Sequence, residues 1–84
     1  MAELDIYGKR FAITGVLPVL RSDATVILEN MGGIYKSSVT RDTDYLIVGD
    51  LRKISRKLER AQCLQKAGYK LLVLDWKTLF PELL

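Results

Sequence analysis

The 84-residue sequence predicts an α/β domain. Two observations carry this. Phe11–Ile13, Tyr45–Val48 and Leu71–Leu74 are short continuous apolar runs, the pattern of central strands covered on both faces. Between them lie segments whose apolar residues recur with helical period. A more mixed stretch, Ile34-Tyr35-Lys36-Ser37, reads as an edge strand. The predicted order is β-α-β-β-α-β-α, in one domain spanning residues 1–84 with its core at about 7–80.

Each helix has its own signals. Ala24, Ile27, Leu28 and Met31 fall at i, i+3, i+4 and i+7 and form one apolar stripe. Ser22 or Asp23 can cap that helix, and Gly32-Gly33 ends it. A second helix runs from about Arg56 to Ala67, with Ser55 as N-cap and Gly68 as its stop. A third begins at Asp75 and places Trp76, Leu79, Phe80 and Leu83 on one face, with Pro81 falling late enough to end or kink it. The link from the second to the third strand, roughly Ser38–Asp44, is too short for a crossover helix. Pattern rules alone make it a hairpin.

Composition excludes several classes of function. An apolar share of 49% supplies one compact core and argues against disorder. No apolar run approaches the roughly 20 residues of a membrane helix. The first ten residues lack the layout of a signal peptide, so a cytoplasmic or nuclear location is expected. There is no histidine, which removes the commonest general base and metal ligand. The single cysteine, Cys63, permits no internal disulfide and reads as a reduced thiol on a helix surface. Neither a G-x-G-x-x-G after the first strand nor a G-x-x-x-x-G-K-[ST] occurs, so no nucleotide cofactor is expected.

The charge is more telling in its placement than in its sum of +3. RKISRKLER, residues 52–60, puts Arg52, Lys53, Arg56, Lys57 and Arg60 against the single acid Glu59. Helix starts favour anions and disfavour cations. Cations crowded there make sense when an external anion completes the site. At 100° per residue, Leu58, Ala61, Leu64 and Gly68 define the inward face, and Lys57 lies on it one turn before Ala61. Arg60 flanks that face and Arg56 points further out. Lys57 is therefore expected to snorkel toward the carboxyl end of the sheet, where the turn Thr14-Gly15 leaves the first strand. A threonine hydroxyl, a glycine N–H and a lysine suffice for one phosphate. A tight strand-to-helix turn with no ligand would also accept Thr-Gly.

GKRFAITG leading into the first helix, MGG closing it, VTRDTDYLIVGD through the third strand and DWKTLF near the end together resemble a BRCT domain. The likeness runs from about Tyr7 to Phe80 and is similar in flavour to the BRCT domains of bacterial NAD-dependent DNA ligases and of the replication factor C large subunit. It implies a four-stranded parallel sheet of order 2-1-3-4, with helices one and three on one face and helix two on the other, and no hairpin. It also implies that Trp76 packs in the core between helices. In phosphate-binding members the hydroxyl, the glycine N–H and the lysine map onto Thr14, Gly15 and Lys57. The replication-factor type adds an arginine early in helix one, whose matching position here is Ser22, with Arg21 one place earlier. The ligase-like pattern has glycines before helix two, whereas only Gly49 precedes DLRKIS here.

Two functions from different classes follow. One is a non-catalytic DNA-binding module of replication or repair that recognises a 5′-phosphorylated end, nick or break and targets a larger DNA ligase or polymerase-associated nuclease. Lys9, Arg10, Arg21, Arg52, Lys53, Arg56, Lys57 and Arg60 would supply sequence-independent phosphate contacts. The other is a protein-interaction module for a phosphopeptide or a partner domain. A third possibility is a scaffold with no working phosphate pocket. No membrane contact is expected, and the isolated domain is expected to be a monomer.

Overall fold

The computed structural model describes residues 5–52 and 55–81. Its elements are β1 (Arg10–Thr14), α1 (Arg21–Asn30), β2 (Ile34–Tyr35), β3 (Tyr45–Val48), α2 (Arg56–Lys66), β4 (Leu72–Asp75) and α3 (Trp76–Leu79). All strand pairs are parallel, in the order β2-β1-β3-β4. No helix among the described residues is long and apolar enough to cross a membrane.

Strand alternation divides the core in two. Phe11 and Ile13 of β1 and Ile47 of β3 face α1 and α3, packing with Ala24, Leu28, Trp76, Leu79 and Phe80. Ala12 and Leu46 face the other way, against Ala61 and Leu64 of α2. Helices one and three thus share one face and helix two covers the other.

The hairpin suggested by pattern alone does not form. β2 and β3 lie on opposite sides of β1, Arg10 pairing with Ile34 and Phe11 with both Tyr35 and Tyr45. The reason is the brevity of β2. With only two paired residues, the chain has almost no strand length to retrace before β3 starts at the same level. The connecting loop crosses on the α2 side and inserts Val39, 3% exposed, into that core beside Ala12 and Leu46.

Three other expectations are corrected. The last apolar run reads by pattern as a central strand, but β4 lies at the sheet edge, as the order 2-1-3-4 implied by the resemblance requires, with Leu72 and Val73 exposed. α1 starts at Arg21 with Leu20 as its N-cap and no side-chain cap, so neither Ser22 nor Asp23 serves in that role. The Arg21 guanidinium instead ties this first turn back to β1. α3 spans one turn, because Pro81 offers no N–H and holds the preceding Phe80 outside the helical region at φ −132, ψ 64. Leu83 lies outside the described residues. α2 has the expected cap, Ser55 Oγ accepting from the Leu58 N–H at 3.1 Å. Gly68 follows the C-cap of α2 at φ +98, as expected of a helix stop, and lies exposed and not on a buried face. Cys63 is a free thiol on the exposed side of α2.

Candidate anion-binding site

β1 delivers Thr14 and Gly15 to the carboxyl end of the sheet. Gly15 adopts φ +86, and a Cβ there would lie 3.0 Å from the Gly49 carbonyl carbon. Both the dihedral and the space require glycine. Gly49 is under a similar constraint, since a Cβ on it would come 2.5 Å from the Val16 carbonyl oxygen. That close approach lets the two loops pair. The Val16 N–H donates to the Asp50 oxygen at 2.9 Å, and the Asp50 N–H donates to the Val16 oxygen at 2.7 Å. The loops leaving β1 and β3 are thus locked together.

Two cations meet at this turn. Lys57 Nζ donates to the Ile13 carbonyl at 2.9 Å. Arg21 Nη1 donates to the same oxygen at 3.0 Å, and Nη2 donates to the Gly15 carbonyl at 2.6 Å. Since both bonds meet at one atom, the charged nitrogens lie within about 6 Å of each other, a range at which like charges repel. The helical phase of Lys57 foretold its lean toward the sheet. Arg21, one residue before the family's arginine position, reaches round to the turn from the start of α1.

Thr14 is buried, and its Oγ1 lies 2.6 Å from Ser55 Oγ. Ser55 accepts from Leu58 N–H, so its own proton can go to Thr14. In that orientation Thr14 keeps its O–H for an incoming anion. Ser55 was legible in the sequence only as a helix cap. Its contact with Thr14 spans 41 residues of chain and has no local signal. Thr14, Gly15, Arg21, Arg52 and Ser55 line a cleft of about 320 Å³, whose walls also include Val16, Leu51 and one carboxylate residue, Asp50.

The remaining sequence candidates are dispersed. Arg56 and Arg60 flank Lys57 on α2 outside the cleft that Thr14 lines, and Arg60 Nε donates to the Val39 carbonyl at 2.9 Å. Lys9 and Arg10 are exposed at the amino end of β1, about 16 Å from the Thr14-Gly15 turn at ~3.3 Å per residue. The structure does not bring them to the turn. Lys53 lies outside the described residues. Among the described residues, no group of three or more Cys, Asp or Glu could hold a metal ion.

Burial lowers the Lys57 ammonium below its ordinary value of 10.5, and the Arg21 guanidinium lowers it further. The folded pKa is then below the unfolded one, so the unfolded chain holds this proton more tightly. The destabilising effect is fully present below the folded pKa. It is relieved as pH rises through the window up to 10.5, so free-protein stability should climb there. A bound phosphate would reverse the local field. Saturating 5′-phosphate ligand should raise the Lys57 pKa, and affinity should fall as pH climbs toward 10.5. An NMR titration of the Lys57 side chain with and without ligand checks this. A pKa that ligand leaves unmoved would take Lys57 out of the site.

Comparison with known proteins agrees with this architecture. Residues 2–70 match the family model described as the BRCA1 C Terminus (BRCT) domain. The chain is similar to a DNA ligase of Bdellovibrio bacteriovorus, 38% identical over 92% of this chain and 10% of that protein. It is similar also to a DNA ligase of Campylobacter jejuni subsp. doylei, 35% identical over 81% of this chain and 11% of that protein. A Synechococcus DNA ligase shares 48% identity over 66% of this chain and 8% of its own length. The chain spans about a tenth of the length of these relatives. With the parallel sheet in the order 2-1-3-4 and its helices divided between the two faces, the chain belongs to the BRCT family.

Proposed function

We propose that this domain is a non-catalytic DNA-recognition module that captures the 5′-phosphate of a DNA end, nick or break and thereby targets a DNA ligase to its substrate. The observation that carries this reading is the meeting of Arg21 and Lys57 on the Ile13 carbonyl beside the Thr14-Gly15 turn. Two cations sharing one neutral oxygen are not neutralised by it. A phosphate dianion would offset their mutual repulsion and accept from both, with the Thr14 hydroxyl as a further donor. The similarity to DNA ligases supports this reading, under which the domain would work wherever such a ligase meets DNA.

The test compares otherwise identical 5′-phosphorylated and unphosphorylated duplexes. Wild type should prefer the phosphorylated end. Thr14→Ala should narrow the gap between the two, because the hydroxyl serves only the terminal phosphate. Arg56→Ala, at an exposed position outside the cleft that Thr14 lines, should weaken both ligands alike and reduce the salt slope by about one unit. Identical behaviour of the two variants, or a wild type indifferent to the phosphate, would make the turn merely a turn. Tight binding of a phosphopeptide without DNA binding would give first place to a protein-interaction role.

A further inference from the structure

A second cleft opens on the α2 side of the sheet. It lies between the β2–β3 loop and α2, measures about 400 Å³, and is lined by Ser37, Ser38 and Thr40 on one side and Arg56, Lys57 and Arg60 on the other, with Val39 at its floor. No carboxylate lines it. Three cations and three hydroxyls with no acid between them form a donor-rich wall, which suits an anion and repels a cation. Lys57 lines this second cleft, and its ammonium donates to the Ile13 carbonyl at the end of β1, next to the Thr14-Gly15 turn.

Arg60 is held in place. Its Nε is spent on the Val39 carbonyl at 2.9 Å, and Val39 is anchored in the core. The two terminal nitrogens of the guanidinium have no partner among the described residues. The loop hydroxyls are on the surface, and neither Ser37 nor Ser38 has a structural hydrogen bond among the described residues. The same loop borders a third hollow, which Lys36 and Arg10 line together with Asp42. Ser37, Ser38 and Thr40 thus border both hollows.

Resting on the terminal-phosphate reading above, we propose that this second cleft is a subsite for an internal phosphodiester of the same nucleic acid, gripped by the β2–β3 loop and α2 while the Thr14-Gly15 turn holds the end. The β2–β3 loop is then a binding element and not only a connection. It would make contacts that carry no sequence information and that add to affinity for a polynucleotide but not for a lone phosphate.

The test uses two probes, thymidine 5′-monophosphate and a 5′-phosphorylated hairpin duplex, with Ser37→Glu/Ser38→Glu. Neither serine belongs to the terminal-phosphate site, and both are exposed, so folding should be retained, which a thermal melt verifies. A control variant, Val26→Glu/Thr78→Glu, adds the same charge at exposed positions on α1 and α3. The loop variant should bind the duplex about tenfold more weakly than the control, with a salt slope smaller by about one unit. Its amide shifts with the mononucleotide should match those of wild type. Equal duplex affinity in loop and control variants would overturn the subsite, and so would parallel loss of both probes. If wild type ignores the mononucleotide yet the loop variant still loses duplex affinity, the terminal-phosphate reading fails and the subsite stands as a backbone contact.

Discussion

Trp76→Ala is expected to be a folding mutant. The side chain is fully buried at the first position of α3, with its ring 4.5 Å from that of Phe80 and in the same cluster as Phe11, Ile13, Leu28 and Ile47. Truncating such a residue costs roughly 3–5 kcal/mol. A domain of this size has about 4–13 kcal/mol in total at typical values per residue. A urea titration should therefore show a midpoint lowered by about a quarter or more. Trp76→Phe adds a control. The indole Nε1 is buried with no partner among the described residues. Phenylalanine removes an unsatisfied donor, which offsets part of the lost volume, so Trp76→Phe should fall much closer to wild type than to alanine. Melting of Trp76→Ala at the wild-type midpoint would mean that the α1–α3 face does not depend on this ring.

Lys57→Ala is expected to separate binding from stability. Loss of a charge-assisted contact should weaken the 5′-phosphorylated ligand by about 1.5–3 kcal/mol, or roughly ten- to 150-fold. Folding should be untouched or slightly improved. The Ile13 carbonyl keeps its hydrogen bond from Arg21, so no buried acceptor is orphaned. Removal of the ammonium also relieves its repulsion with Arg21 and with the N-terminus of α2. Fluorescence anisotropy with labelled duplex reads the first effect and a thermal melt the second. Normal folding with unchanged affinity would exclude Lys57 from the site.

Much of this arrangement was legible because it is periodic. The face of α2 that buries Ala61 and Leu64 fixes where Lys57 points, and a helical wheel suffices to bring it to the end of β1. Ser55 as cap and the glycines after α1 and α2 are signals local to a few residues. What was missed depends on partners distant in sequence. Ser55 and Thr14 meet only because β1 and the start of α2 reach the same end of the sheet. Arg21 replaces a side-chain cap by binding two carbonyls of the preceding strand and turn, which no capping rule anticipates. β4 carries a run of apolar residues that on composition belongs in the middle of a sheet, yet topology leaves it at the edge. Lys9 and Arg10 are basic neighbours of Thr14 in sequence, but an extended strand separates them from it in space.

The parallel sheet also governs the order in which the molecule can be made. Its ladders join Arg10 to Ile34, Phe11 to Tyr45 and Tyr45 to Leu72, positions 24, 34 and 27 residues apart along the chain. No strand pair is local, so each ladder must close a long loop before any hydrogen bond offsets the lost chain entropy. β1 sits in two of the three ladders and precedes the other strands of this sheet in the chain, so during synthesis it has no partner strand in the sheet until they have followed. Its Phe-Ala-Ile segment waits in the open during that interval. Arg10 and Lys9 just ahead of it, exposed in the finished fold, are then a charged flank of the kind that keeps a waiting apolar strand from finding the wrong partner.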